Sequence, residues 1–269
     1  MISLPFLAGM LVAGDWLHWR TVAAALAVFS IFLLREPLLF FWRLRVAANK
    51  YKNNQSPQPL ETQKLQEIQN ARFSLWVYGL VAAAAGTYLL TVLPLAPLLL
   101  LGSGAALLTL LALYCTAHNY QRTPALQIAI AVGLTSSCLL SYLAGRGQWE
   151  EPVLWIWALS AAHSSAAVLA VHARLEVVLA ARKPGTAPSG LARRNALLAQ
   201  AGLCFLFAML VVWGRPWFLV PFLPPTALHW WELWQFRSGQ APRISMRRVG
   251  WMQLGASIVF FFLLVAVLR

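Results

Sequence analysis

The sequence predicts an all-α polytopic bundle of about nine transmembrane spans in a single domain, residues 1–269, and three observations carry that prediction. Of the 269 residues, 60% are hydrophobic and only 11% are charged, whereas about a quarter of a soluble domain is charged. The apolar residues fall in runs close to the roughly 20 that cross a hydrocarbon core of about 30 Å. Lysine and arginine collect in the short segments between those runs, as they do where charge sets topology.

Taken in order, the spans are 2–16, 20–42, 73–92, 95–116, 124–144, 152–174, 195–214, 216–236 and 249–268. The first is short. It has no basic segment ahead of it and is followed by Asp15 and Trp16 rather than a cleavage site, so it is expected to stay in the mature protein. In the second, Arg35-Glu36-Pro37 interrupts the apolar run. Either the helix continues to Trp42 with an ion pair inside the leaflet, or Pro37 starts a separate interfacial helix. Pro94, Pro97, Pro124, Pro152, Pro216 and Pro221 lie at or near span starts, where a missing N–H is tolerated.

Two polar segments are long enough to matter, the loops 47–71 and 181–195. From Pro59 the first is expected to form a short helix with Leu60, Leu65 and Ile68 on one side, lying on the membrane surface. The second holds Lys183-Pro184-Gly185 and Pro188-Ser189-Gly190 and reads as a flexible connector.

The formal charge of +13, from 21 Lys and Arg against 8 Asp and Glu, belongs to these connecting segments, where it meets anionic lipid rather than nucleic acid. Placing the loops after the even-numbered spans in the cytoplasm puts every Lys and Arg there except Arg20, Arg146, Arg215 and Arg269. The N-terminus is then cytoplasmic and the C-terminus outside. Cys115, Cys138 and Cys204 lie within apolar runs and form neither a disulfide framework nor a zinc pattern.

Ionisable residues at membrane depth are candidates for function. In 160–183, SAAHSSAAVLAVHARLEVVLAARK, His163 and His172 are nine positions apart and point to opposite sides of a helix. His163 is read as bonding a neighbouring backbone carbonyl, while His172 and Glu176 share a face. Tyr114, His118 and Arg122 form a stripe at i, i+4, i+8. His229 and Glu232 stand among Trp230, Trp231 and Trp234, a cluster that reads as an interface belt or as a site.

The candidate ligand-binding set is Arg35, Glu36, Arg43, Tyr114, His118, Arg122, His172 and Arg174, expected to converge on one inward-facing basic pocket. His118 and His172 are the candidates for proton transfer. Haem would need two imidazoles at matched depth on facing helices, and a magnesium-diphosphate site would need clustered carboxylates. With 8 acidic residues and a single aspartate, Asp15, no metal or other cofactor is expected.

PFLAGML, REPLLFFWRLR, VLAVHARLE and RRVGWMQLGASIVFFFLL, spread along the chain, resemble segments of the YwiC-like family of bacterial membrane proteins. That resemblance implies an integral protein of the bacterial cytoplasmic (inner) membrane. The nine-span layout, with polar loops after spans two and six, is also similar to the UbiA-type intramembrane prenyltransferases. Where those enzymes carry aspartate-rich motifs, this chain has Arg35-Glu36-Pro37 with Arg43 and Arg45, and His172-Arg174-Glu176 with Arg182. The likeness implies a UbiA-like helical architecture and argues against metal-dependent prenyl transfer; any activity would be a magnesium-independent processing of a lipid or isoprenoid.

Three functions are compatible with this reading. One is binding of a membrane lipid, isoprenoid or quinone by its anionic head, since arginine forks hold phosphate in a bidentate manner. The second is small-solute transport. The third is a non-catalytic membrane subunit or assembly factor.

Overall fold

The computed structural model describes residues 3–14, 18–52, 62–117, 123–182, 190–235 and 246–269, and among them every regular element is helical. The helices are α1 (Ser3–Ala13), α2 (Trp19–Lys52), α3 (Thr62–Val92), α4 (Leu95–Ala117), α5 (Pro124–Thr135), α6 (Ser137–Arg146), α7 (Glu151–Arg182), α8 (Leu191–Val212), α9 (Leu223–Gln235) and α10 (Met246–Leu268). Seven stretches of the described residues are long and apolar enough to cross a membrane, with α5 and α6 together forming one of them. The chain is an integral membrane protein.

Four of the sequence expectations take a more definite form. Pro37 lies inside α2, so the helix continues past Arg35 and Glu36 rather than restarting. Neighbouring residues are about 100° apart on a helix, and Glu36 is exposed while Arg35 is half-buried. Leu65 and Ile68 belong to the opening turns of α3, not to a separate surface-lying helix. The reason is local: Gln66 to Arg72 contains no helix breaker, so α3 runs on unbroken alongside α2. The remainder of that loop, 53–61, and most of the second loop, 183–189, lie outside the described residues.

The span expected at 124–144 is broken between α5 and α6. There Thr135 Oγ1 donates to Val132 O at 2.7 Å and Ser136 Oγ to Gly133 O at 2.6 Å. Such back-bonds compete with the helical ladder and bend it. The span expected at 216–236 is a 3-10 turn, Pro216–Phe222, followed by the 13-residue α9; Pro216 and Pro221 supply no N–H to an α-helical ladder there.

At about 1.5 Å per residue, the 11 residues of α1 cover roughly half the hydrocarbon thickness. It is fixed by close packing. A Cβ at Gly9 would fall on the Cys138 carbonyl oxygen and Ser141 Oγ, and 2.9 Å from Cys138 Cα, so only glycine lets α1 approach α6 this closely. At its other end, the Arg269 guanidinium donates from Nε at 3.1 Å and from a terminal nitrogen at 2.6 Å to Leu11 O.

The main core joins α1, α6, α7, α8 and α10 with the Pro216–Phe222 turn, through residues such as Ala8, Tyr142, Ile156, Leu210, Phe222 and Phe260. A second cluster packs Phe6 against Ala24, Leu89 and Leu143. Along α7, Val153, Ile156, Ser160, His163, Ala167, Ala170 and Arg174 are all buried. Their alternating steps of three and four trace one inward face.

Candidate functional site

An apolar cavity of about 310 Å³ lies between α2, α3, α4 and the α5–α6 break. That is the lower end of the usual range for small-molecule sites. Ala27, Ile31 and Arg35 present to it one face of α2 at four-residue spacing. From α4 come leucines with Ala105 and Thr109, and from the break come Gly133, Ser136 and Ser137. Among the described residues, Arg35 is the one charged residue of the lining. It stands at the end where α4 approaches its last turns and α5 has begun, and Leu98 and Leu140 line the opposite end. A small-residue break and an arginine thus give an otherwise hydrocarbon space one polar floor.

Around α7 to α10 runs a different feature, a buried polar network. Arg174 donates to Glu232 Oε1 at 3.1 Å, with the two side chains 0% and 1% exposed. Gln253 Nε2 donates to the other carboxylate oxygen at 3.3 Å. Gln253 Oε1 faces His229 Nε2 at 3.3 Å, and His229 Nδ1 faces Gln200 Nε2 at 3.3 Å. Four helices are therefore joined by one chain of hydrogen bonds, the usual recourse of buried polar groups. Farther along the α7 face, His163 Nε2 meets Ser257 Oγ at 3.2 Å, and its ring stacks on Phe260 at 4.2 Å. The partner of His163 is thus a side-chain hydroxyl rather than the backbone carbonyl expected from sequence.

The predicted set is divided between these features. Arg35 walls the cavity, while Glu36, Arg43 and Tyr114 are exposed. His118 and Arg122 lie outside the described residues. His172 Nε2 is 2.9 Å from Gln127 Oε1, tying α7 to the first turn of α5. Arg174 belongs to the Glu232 network and is not among the cavity lining. Of the eight residues expected to converge on one basic pocket, Arg35 is the one that lines this cavity among the described residues; α7 turns Arg174 toward α9, where Glu232 supplies the carboxylate that a buried guanidinium needs. Glu176 instead accepts from Gly190 N and Ala192 N, each at 3.0 Å. It caps the start of α8, where a carboxylate complements the helix dipole.

Sequence reasoning passed over Gln200 and Gln253. Their signal was present: each is a lone amide within a membrane-length apolar run, and such amides bond across helices. On α9 the ionisable residues and the tryptophans lie on opposite faces. His229 and Glu232 point inward, and Trp230, Trp231 and Trp234 point out.

At the turn between α6 and α7, Tyr142 donates to Glu150 Oε2 at 2.6 Å and Gln148 Nε2 lies 3.4 Å from Oε1. The Tyr142 hydrogen bond, with a smaller contribution from Gln148, holds the Glu150 carboxyl below the ordinary glutamate value.

A family model described as YwiC-like protein matches residues 1–142, more than half of the chain. The residues that wall the cavity, from Ala27 to Leu140, all fall within that match, whereas the Arg174–Gln253 network lies beyond it. No curated protein and no solved structure matches the chain.

Proposed function

The chain belongs to the YwiC-like family, and on that premise we propose that it is a protein of the bacterial cytoplasmic membrane that binds an amphiphile by an anionic head, a lipid, an isoprenoid or a quinone precursor. The observation that carries this reading is the cavity in the family-matched part of the chain, hydrocarbon along its length with Arg35 at one end. The apolar part of the ligand lies among α2, α4 and α5. Its phosphate or carboxylate meets the Arg35 guanidinium, which a carboxylate or phosphate fits in bidentate fashion. With the basic loops facing the cytoplasm, Arg35 opens toward the inner leaflet, and the ligand enters sideways from the bilayer rather than from water. Because an arginine takes the place of clustered acids, binding does not depend on magnesium. The likeness to the UbiA-type enzymes rests on the order of spans and loops, and catalysis would need groups beyond Arg35.

Native mass spectrometry of the protein purified in mild detergent tests this reading. A retained acidic amphiphile is expected, to be kept in EDTA and lost both in Arg35→Ala and in Ala105→Phe, which fills the cavity. Retention of the same molecule in both variants would overturn the assignment.

A further inference from the structure

The hydrogen-bond roles in the α7–α10 network can be followed outward from its one ion pair. A Glu232 carboxylate held by Arg174 accepts only, so Gln253 must turn its NH₂ toward it and its carbonyl toward His229. Facing a carbonyl, His229 Nε2 must carry the hydrogen. Nδ1 is then left as an acceptor, and Gln200 meets it with its NH₂ at 3.3 Å. The order is complete except at its far end. Gln200 is 1% exposed, and its Oε1 has no hydrogen-bond partner among the described residues. A buried carbonyl left over is costly, yet this one belongs to the group that touches the imidazole nitrogen still open to a proton.

We infer that His229 is a proton-binding site inside the helical bundle, and that the Gln200 side-chain amide is the element that turns over to accept the added proton. The proton comes from water and forms the N–H bond at Nδ1; no bond is broken in the protein. Rotation of the Gln200 amide by half a turn then brings Oε1 to Nδ1–H, so the imidazolium donates to two amide carbonyls, those of Gln200 and Gln253. Consecutive heavy atoms along the row stand 3.1–3.3 Å apart, spacing that admits a proton and nothing larger.

The charged and titratable groups around this site come from each packed helix. On α7 these are Arg174 and, farther along the same face, His163; on α9, Glu232. On α8 it is Arg193, seven residues before Gln200 and so on the same face; α10 presents Gln253 and Ser257, both uncharged. The new cation shares Glu232 with Arg174, so proton uptake weakens the tie between α7 and α9. This inference uses residues 174–253 and stands apart from the cavity reading.

The experiment uses the full chain in lipid nanodiscs with ¹⁵N-labelled imidazoles, the His229 signals being assigned by their loss in His229→Gln. Near neutral pH the expected pattern is the tautomer with hydrogen on Nε2. On acidification both nitrogens should become protonated, and the Gln200 amide signals should shift in the same transition. In Gln200→Met, which keeps bulk and removes the carbonyl, proton affinity should fall on the order of tenfold, a one-unit drop in the midpoint. A hydrogen on Nδ1 in the neutral state, an unchanged midpoint in Gln200→Met, or no protonation before the protein unfolds would each overturn the proposal. If Gln200→Met does not fold, the tautomer and the coincidence of the two transitions in the unaltered chain decide it.

Discussion

Arg174 on α7 and Glu232 on α9 form an ion pair of 3.1 Å that is almost wholly shielded from the surroundings. Removing one partner leaves the other charge buried alone. Arg174→Met or Glu232→Leu should therefore each cost about 3–5 kcal/mol, while the double replacement should cost much less than their sum. Denaturant or thermal unfolding in detergent, run as a double-mutant cycle, measures the difference. Additive single effects would mean that the pair does not act as a unit.

Gly9 predicts a sharper steric result. Gly9→Ala drives a methyl group into the Cys138 carbonyl and should destabilise the α1–α6 contact by about 1–3 kcal/mol. Gly104→Ala on α4, where a Cβ would meet nothing within 4 Å, should be close to neutral. Equal melting temperatures for the two variants would contradict the close approach.

The bond between Tyr142 and Glu150 at the α6–α7 turn sets a pH dependence. A carboxyl held below its unfolded value stabilises the fold above that value, and the stabilisation is lost as pH falls through the lower, folded value. Tyr142→Phe should therefore be less stable than the parent at neutral pH, with the gap closing on acidification below the ordinary glutamate range. Melting curves from neutral to strongly acid pH test the sign; a gap that widens toward acid would reverse it.

Orientation is open to direct labelling. In a background lacking Cys115, Cys138 and Cys204, a cysteine at Gln148 should react with an impermeant maleimide added outside intact cells. One at Ser189 should react only after the membrane is opened. The opposite pattern would invert the bundle.

Seven of the nine expected spans could be read from the sequence because a span is a property of composition over about 20 residues, independent of what it packs against; the other two, 2–16 and 216–236, fold as the shorter α1 and as a turn followed by α9. Arg35 drew notice for the same reason: a charge interrupting such a run stands out. Rotation about the helix axis was not readable. Arg174 and Arg35 look alike in sequence, both near the basic ends of spans, and only packing turns one toward Glu232 and the other toward a cavity. The break at Ser136 was hidden as well, since serine and threonine side chains bond either their own helix or a neighbour, and the sequence does not say which. Gln200 and Gln253 show how a weak local signal becomes informative only when four helices bring the amides together.

The seat of α1 has a consequence in time. Gly9 docks against Cys138, about 130 residues downstream, and Leu11 is held by Arg269, farther still. At roughly 5–20 residues per second, the ribosome needs on the order of ten seconds to deliver the first of these partners and longer for the second. For that interval a helix covering about half the bilayer lacks its α6 partner and has only the α2 residues that meet Phe6 to rest against. The seat of α1 is thus completed late, and variants at Gly9 or Arg269 should show themselves first in newly made chains, as faster early degradation, before any change in the mature bundle is detectable.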